Sequence, residues 1–368
     1  MIYLDNAATT RKKPISAYFA FIKESLLSAN PGRGGHRAAV ASALRIEETR
    51  RIIREKFFDG EVIFTKNCTE ALNLAFTAKL KYKKVIATTA EHTSVLRPLK
   101  RLAEQGKINL TIIDPSVEEF RKNIDRATGM VVIGAVSNVT GKRNPVEEIS
   151  KIVKEKSDAL VVVDGAQSAG KIDLDLSYVD MFATSGHKSL HGFQGTGFLI
   201  VRRGIVLEPL ITGGTGISGP VIDVPNDIPE GMEAGTLNGP GIVALGKAIE
   251  NTYKNIKKIV RQENRLANVL CRSLFKEKNM IVYSCQNGIV LCNVKDRSCS
   301  EVADILSQKY GVYVRSGLHC APLMHKELGT LPEGAVRISF GHNNNVFHAL
   351  YAAYALKKIC RGENAEIL

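Results

Sequence analysis

The sequence predicts an α/β protein whose mostly parallel, seven-stranded sheet carries a smaller α+β lobe at its C-terminal end. Two observations carry that expectation. Seven short apolar runs, Val62–Thr65, Lys84–Thr89, Ile108–Ile113, Met130–Val136, Leu160–Val163, Met181–Thr184 and Phe198–Arg202, alternate with helix-like stretches, the rhythm of a parallel sheet with crossover helices. The chain of 368 residues also exceeds one typical domain. We therefore expect a large domain over 12–243 and a small one over 244–368 joined by the N-terminal segment 1–11.

Composition narrows the function classes. Hydrophobic residues make up 44% of the chain and no long uncharged apolar run occurs, so a membrane span is not expected. The opening MIYLDNAATT lacks the basic-then-apolar order of a signal peptide, which points to the cytoplasm. Seven cysteines, at 68, 271, 285, 292, 299, 320 and 360, form no C-x-x-C pair and argue against a disulfide framework. A net charge of +13 raises nucleic acid as a partner, but the basic residues are dispersed along helix-like stretches such as 44–56 and 247–265, so none is expected. Asn67, Asn109 and Asn138 head N-x-T sequons that matter only in a secreted protein.

Taken in order, Tyr3–Thr10 is a short strand plus small residues, too brief to fold alone and suited to lie across another lobe. A helix over 16–28 precedes Asn30–Arg37, a loop of Pro and three Gly that includes Arg33; it is either an anion-binding loop or a flexible basic turn. An amphipathic helix over 38–57 leads to the first long strand. Directly after it, Lys66–Asn73 turns into a helix whose N-terminus is either a phosphate site, with Thr69 as an added donor, or a plain cap.

Later strands end in polar clusters: Ala90–Ser94 with His92, Ser137–Gly141 with Asn138, Asp164 after Leu160–Val163, and Ser185–Lys188 after Met181–Thr184. In an open parallel sheet those ends face one crevice. Asp164 and Lys188 then suit pyridoxal 5'-phosphate (PLP), the lysine bonding the aldehyde and the aspartate pairing with the pyridinium nitrogen. A surface lysine and an ordinary strand-end aspartate are the alternative.

Gly214–Gly219 matches G-x-G-x-x-G but is followed by Pro220, Pro225 and Pro229 instead of a helix, so 212–238 reads as a loop. A long helix from Gly241 to about Lys276 connects to the small lobe. There, strands at 281–284, 288–294 and 335–340 surround a helix over 300–309. Between them, Val314–Pro322 presents Cys320 beside His319 and Arg315, where positive neighbours would lower a thiol pKa. Zinc binding by His319, Cys320 and His325 is disfavoured for want of a fourth ligand, so no metal is expected.

The segments DNAATT, FTKNCTEALN, AEHTSV, SNVTG, VVVDGAQSAG, TSGHK, EAGT, RSGLHCAP and VRISFG, in this order along the whole chain, resemble the fold-type I, class V PLP enzymes, and among them the cysteine desulfurases. RSGLHCAP and the short stretch before VRISFG resemble the Suf-type (group II) branch, whose relatives include selenocysteine lyases. The resemblance implies that Lys188 holds PLP, Asp164 pairs with its ring nitrogen, Gln167 contacts its phenolic oxygen and His92 stacks on its face. It assigns the phosphate to Cys68, Thr69, Ser185, His187 and the Thr236 of a neighbouring subunit. Because Cys68 stands where many relatives have threonine, its contact is expected through the backbone. Asn138, Arg337, Arg315 and Arg33 would meet the substrate, and Cys320 would be the nucleophile.

The implied reaction converts L-cysteine, or L-selenocysteine, to alanine and leaves a persulfide on Cys320 for an acceptor protein, as in iron–sulfur cluster assembly. The implied assembly is a homodimer with shared active sites. Another class V activity, such as an aminotransferase, and a non-catalytic scaffold on the same fold are the competing readings.

Overall fold

The computed structural model describes residues 1–32, 35–215 and 227–362. It opens with β1 (Ile2–Tyr3), α1 (Ile15–Leu27) and α2 (Arg37–Lys56). The alternating part follows as β2 (Glu61–Thr65), α3 (Cys68–Ala75), β3 (Lys84–Thr88), α4 (Thr93–Glu104), β4 (Asn109–Ile113), α5 (Val117–Asn123), β5 (Thr128–Gly134), α6 (Val146–Lys156), β6 (Leu160–Asp164), β7 (Met181–Ser185) and β8 (Gly197–Val201). The 36-residue α7 (Gly239–Leu274) leads into β9 (Met280–Gln286), β10 (Ile289–Val294), α8 (Cys299–Tyr310), β11 (Val312–Tyr313), β12 (Arg315–Gly317), α9 (Pro322–Glu327), β13 (Ala335–Ser339) and α10 (Val346–Cys360).

The large sheet has seven strands in the order β2-β8-β7-β6-β5-β3-β4, all parallel except β8, which runs antiparallel to both β2 and β7. Both faces are covered, which is why the strands read as continuous apolar runs. Val161 and Val163 pack with Phe182 and Ile149 on one face, while Val162 packs with Leu72 and Met181 on the other. Gly165 is required where β6 ends: a Cβ there would stand 1.9 Å from Cζ of Phe182.

The small lobe is an antiparallel sheet in the order β12-β13-β10-β9, with a separate core that includes Leu270, Leu306 and Leu356. The expected boundary between 243 and 244 falls inside α7, which packs on α1 and α2 near its start and on α10 further along. A buried ion pair between Lys171 and Glu263, 2.9 Å long, ties α7 to the large lobe.

The N-terminal segment spans both lobes. Ile2 and Tyr3 pair with β11, Leu4 is buried in the small-lobe core, and Thr10 donates through its hydroxyl to the carbonyl of Lys188 at 3.0 Å. Among the described residues no helix is long and apolar enough to cross a membrane.

Candidate functional site at the strand ends

The parallel strands bring their C-terminal ends to one cavity, as the doubly wound topology requires. Cys68 and Thr69, His92, Asn138, Asp164 and Gln167, and Ser185, His187 and Lys188 line it, each following a different strand or turn. Nine of the expected residues therefore meet, together with Asn67, Glu91 and Ser94, which motif reading did not single out.

Burial decides the charge states. It lowers the Lys188 amine pKa against the opposing pull of Asp164, so a neutral amine is more accessible than in water. Burial, reinforced by Lys188, pushes His92 down to about 4, and it pushes His187 to about 4 as well. His92 Nδ1 accepts the Ser94 amide N–H at 3.0 Å, so the neutral ring carries its proton on Nε2. Glu91, buried, is raised to about 8; its Oε1 accepts from Thr88 Oγ1 at 2.7 Å and from the Gly134 amide at 2.9 Å. The Cys68 thiol is held well above its usual range by burial and by Asp164, to whose Oδ1 it donates at 3.5 Å.

The chemistry of this donor set fits PLP. Ser185 Oγ and His187 Nδ1 are buried with no partner among the described residues, beside an α3 N-terminus whose first-turn amides have no intrahelical acceptor. A phosphate would satisfy both side chains and the α3 amides that the Asn67 cap on the Glu70 amide leaves free. Asp164 Oδ1, fixed by the Ala166 amide at 2.9 Å, suits a ring N–H, and Lys188 suits an aldehyde. Gln167 spends one amide N–H on the Ala7 carbonyl at 2.9 Å and keeps a second.

The loop carrying Cys320 is docked against this cavity. Asn138 Nδ2 donates to the His319 carbonyl at 2.7 Å, and the Thr93 amide donates to the Cys320 carbonyl at 2.8 Å. Both carbonyls flanking the Cys320 nitrogen and Cα thus rest on residues next to the cofactor pocket. His319 (φ 49°) and Cys320 (φ 58°) both adopt left-handed backbone, costing about 1 kcal/mol each for non-glycine residues. Cys320 is exposed. One expectation is corrected here: His319 is no positive neighbour of the thiol, because burial drives its pKa to about 3 and both ring nitrogens are engaged elsewhere.

The aminotransferase class-V family pattern matches residues 2–347. The chain belongs to that family. It is 34% identical to a probable cysteine desulfurase of Pyrococcus abyssi, covering 94% of this chain and 91% of the relative. It is 32% identical to a probable cysteine desulfurase of Methanothermobacter thermautotrophicus, covering 93% and 90%. Among solved structures, the apo structure of a cysteine desulfurase from Thermococcus onnurineus NA1 superposes with a TM-score of 0.90 at 31% identity, covering 98% of this chain and 95% of that one.

Two expected residues of this class-V chain, Thr236 and Arg315, stand apart from the cavity. Thr236 lines a separate cleft with Arg50 and Glu233. Arg33 lies outside the described residues. Arg315, exposed on β12, reaches the cavity only through its field, which disfavours charge on His92, Lys188 and Arg337. Asp5 and the Thr93 amide were missed: Asp5 carries no pattern outside DNAATT, and a backbone donor leaves no trace in side-chain motifs. No group of three or more metal-ligating side chains occurs among the described residues.

Proposed function

We propose that this class-V chain is a PLP-dependent cysteine desulfurase of the Suf-type branch that passes substrate sulfur to Cys320. The observation that carries the reading is the clamp of the Cys320 backbone on Asn138 and Thr93, which fixes a nucleophilic residue beside the Lys188 cavity. The short stretch 321–334 between Cys320 and β13 supports the branch.

Asp164 and Lys188 would hold the cofactor through its ring nitrogen and its aldehyde, and Ser185, His187 and the start of α3 would hold its phosphate. When bound, PLP supplies the electron sink for Cα chemistry. Lys188 Nζ, lowered in pKa by burial, takes the Cα proton of L-cysteine and returns one to the product. Arg337 receives the substrate carboxylate, its buried Nε having no partner among the described residues. Cys320 attacks as the thiolate: its sulfur bonds the substrate sulfur, the substrate C–S bond breaks, and the released pair is protonated at carbon. Alanine and a Cys320 persulfide result, with atoms and electrons balanced.

A homodimer completes the site in this reading. Phe19, Ile22, Leu26 and Leu27 of α1 and Val40 and Leu44 of α2 expose apolar side chains that a second copy would cover. Thr236, remote from its own cavity, is then available to the partner's phosphate, and an acceptor protein takes the persulfide sulfur. PLP-loaded protein given L-cysteine and reductant should release alanine and sulfide in equal amounts. Wild-type sulfide release by Cys320→Ala would reject this assignment.

A further inference from the structure

Behind the Cys320 loop, three buried side chains that the proposed mechanism does not use form a chain of hydrogen bonds. His319 Nε2 stands 3.4 Å from the Arg315 carbonyl, His319 Nδ1 stands 3.1 Å from His325 Nε2, and His325 Nδ1 stands 2.8 Å from Thr330 Oγ1. All three residues are buried, His325 completely. The two rings stack with centroids 5.3 Å apart.

The direction of the chain follows from its end. A carbonyl can only accept, so His319 carries its proton on Nε2, and its Nδ1 must accept. His325 therefore donates from Nε2, and its Nδ1 faces the Thr330 hydroxyl at 2.8 Å, whose one proton is shared between that nitrogen and the His325 carbonyl, 3.2 Å away. Burial lowers the pKa of both histidines, in keeping with two neutral rings. The opposite polarity would set a bare His319 nitrogen against the Arg315 carbonyl.

This relay grips the residue before Cys320 at the point where the backbone is least self-sustaining. Two consecutive non-glycine residues at positive φ persist only where their surroundings over-determine them. The cavity side supplies two constraints, Asn138 on the His319 carbonyl and Thr93 on the Cys320 carbonyl. The relay supplies the third from the opposite side, by fixing the His319 ring.

We propose that His325 and Thr330 are positioning residues for the sulfur-transfer step: acting through His319, they hold the left-handed backbone that sets where the Cys320 thiol stands. This rests on Cys320 being the nucleophile. Without the relay the His319 ring is free, the backbone can relax, and the thiol leaves the line of attack. Misplacement by about 1 Å costs on the order of a hundredfold in rate.

The test uses the full-length PLP-loaded protein and follows two rates after mixing with L-cysteine: the change in cofactor absorbance, which precedes sulfur transfer, and persulfide formation on Cys320. In His325→Leu the second rate should fall by about tenfold to a hundredfold while the first is unchanged. His325→Gln, whose amide N–H can stand where Nε2–H stood, should recover most of the loss. Wild-type persulfide formation in His325→Leu, equal loss of both rates, or no recovery in His325→Gln would each overturn the proposal. If His325→Leu does not fold, Thr330→Val, with Thr330→Ser as its rescue, is judged by the same two rates. Cys320→Ala run in parallel separates the two readings: if it still releases sulfur, the nucleophile assignment has failed, whereas an inactive Cys320→Ala beside an unimpaired His325→Leu removes the relay alone.

Discussion

Arg337 Nη2 donates to Asp5 Oδ1 at 3.0 Å, joining the small-lobe strand β13 to the N-terminal segment at the edge of the cavity. Arg337 Nη1 donates to the Asn138 carbonyl at 2.8 Å. The guanidinium is thereby held in one orientation before substrate arrives, with Nε left for a carboxylate. Arg337→Lys keeps the charge but loses the planar fork. Steady-state kinetics should give a KM for L-cysteine raised by about tenfold or more, with a smaller change in kcat. Unchanged KM would remove Arg337 from the carboxylate role.

Glu91 makes stability depend on pH in a definite direction. Its folded pKa, raised by burial to about 8, lies above its unfolded value, so its contribution is fully present below the unfolded pKa. That contribution is lost as pH rises toward 8. Glu91→Gln keeps the acceptor for Thr88 and Gly134 without the buried charge. Denaturant unfolding of the apoprotein should find the variant equal to wild type near pH 4 and more stable at pH 8, by on the order of 4 kcal/mol. A gap that does not widen with pH would show Glu91 to be ionised in the fold.

Gly165 leaves room for the Phe182 ring where β6 delivers Asp164 to the site. Gly165→Ala must displace a ring locked in the core, at a cost of about 1–3 kcal/mol. The melting temperature of the apoprotein should fall accordingly, and PLP affinity should fall with it because Asp164 moves. An unchanged melting temperature would mean that the ring has another place to go.

Glu233 is buried and accepts from Arg50 Nη2 at 2.6 Å and from the Phe64 amide at 2.6 Å, anchoring the segment that presents Thr236. Glu233→Ala leaves the buried Arg50 with only the half-exposed Glu47 carboxylate at 3.5 Å and the Val62 carbonyl, a loss of about 3 kcal/mol. If Thr236 serves the partner's phosphate, PLP should also dissociate faster from the folded dimer. Cofactor retention on gel filtration equal to wild type would argue against a shared site.

Much of this molecule is legible in its sequence because burial on both sheet faces forces unbroken apolar runs such as Leu160–Val163, and polar residues can follow only where those runs stop. That logic located Asp164, Lys188, His92 and Asn138 together. It did not reveal that β8 runs antiparallel, since strand direction depends on the helix-free connection through 186–196 and not on the apolar pattern of Phe198–Val201. Nor did it reveal β12, three residues with no apolar signal of their own. The anchoring of Cys320 was hidden for another reason: Thr93 acts through its amide, and His325 and Thr330 act at one remove through a ring. The expectation that His319 is a positive neighbour of the Cys320 thiol failed because the fold buries the imidazole and exposes the cysteine.

In the proposed reaction Cys320 takes the sulfur. PLP-loaded protein incubated with L-cysteine in the absence of reductant, then analysed by intact mass and peptide mapping, tests it most directly. One added sulfur atom is expected on the peptide containing Cys320, and none on Cys68, Cys271 or Cys285. Alanine formation with an unmodified Cys320 peptide, or with the added sulfur on another cysteine, would contradict it.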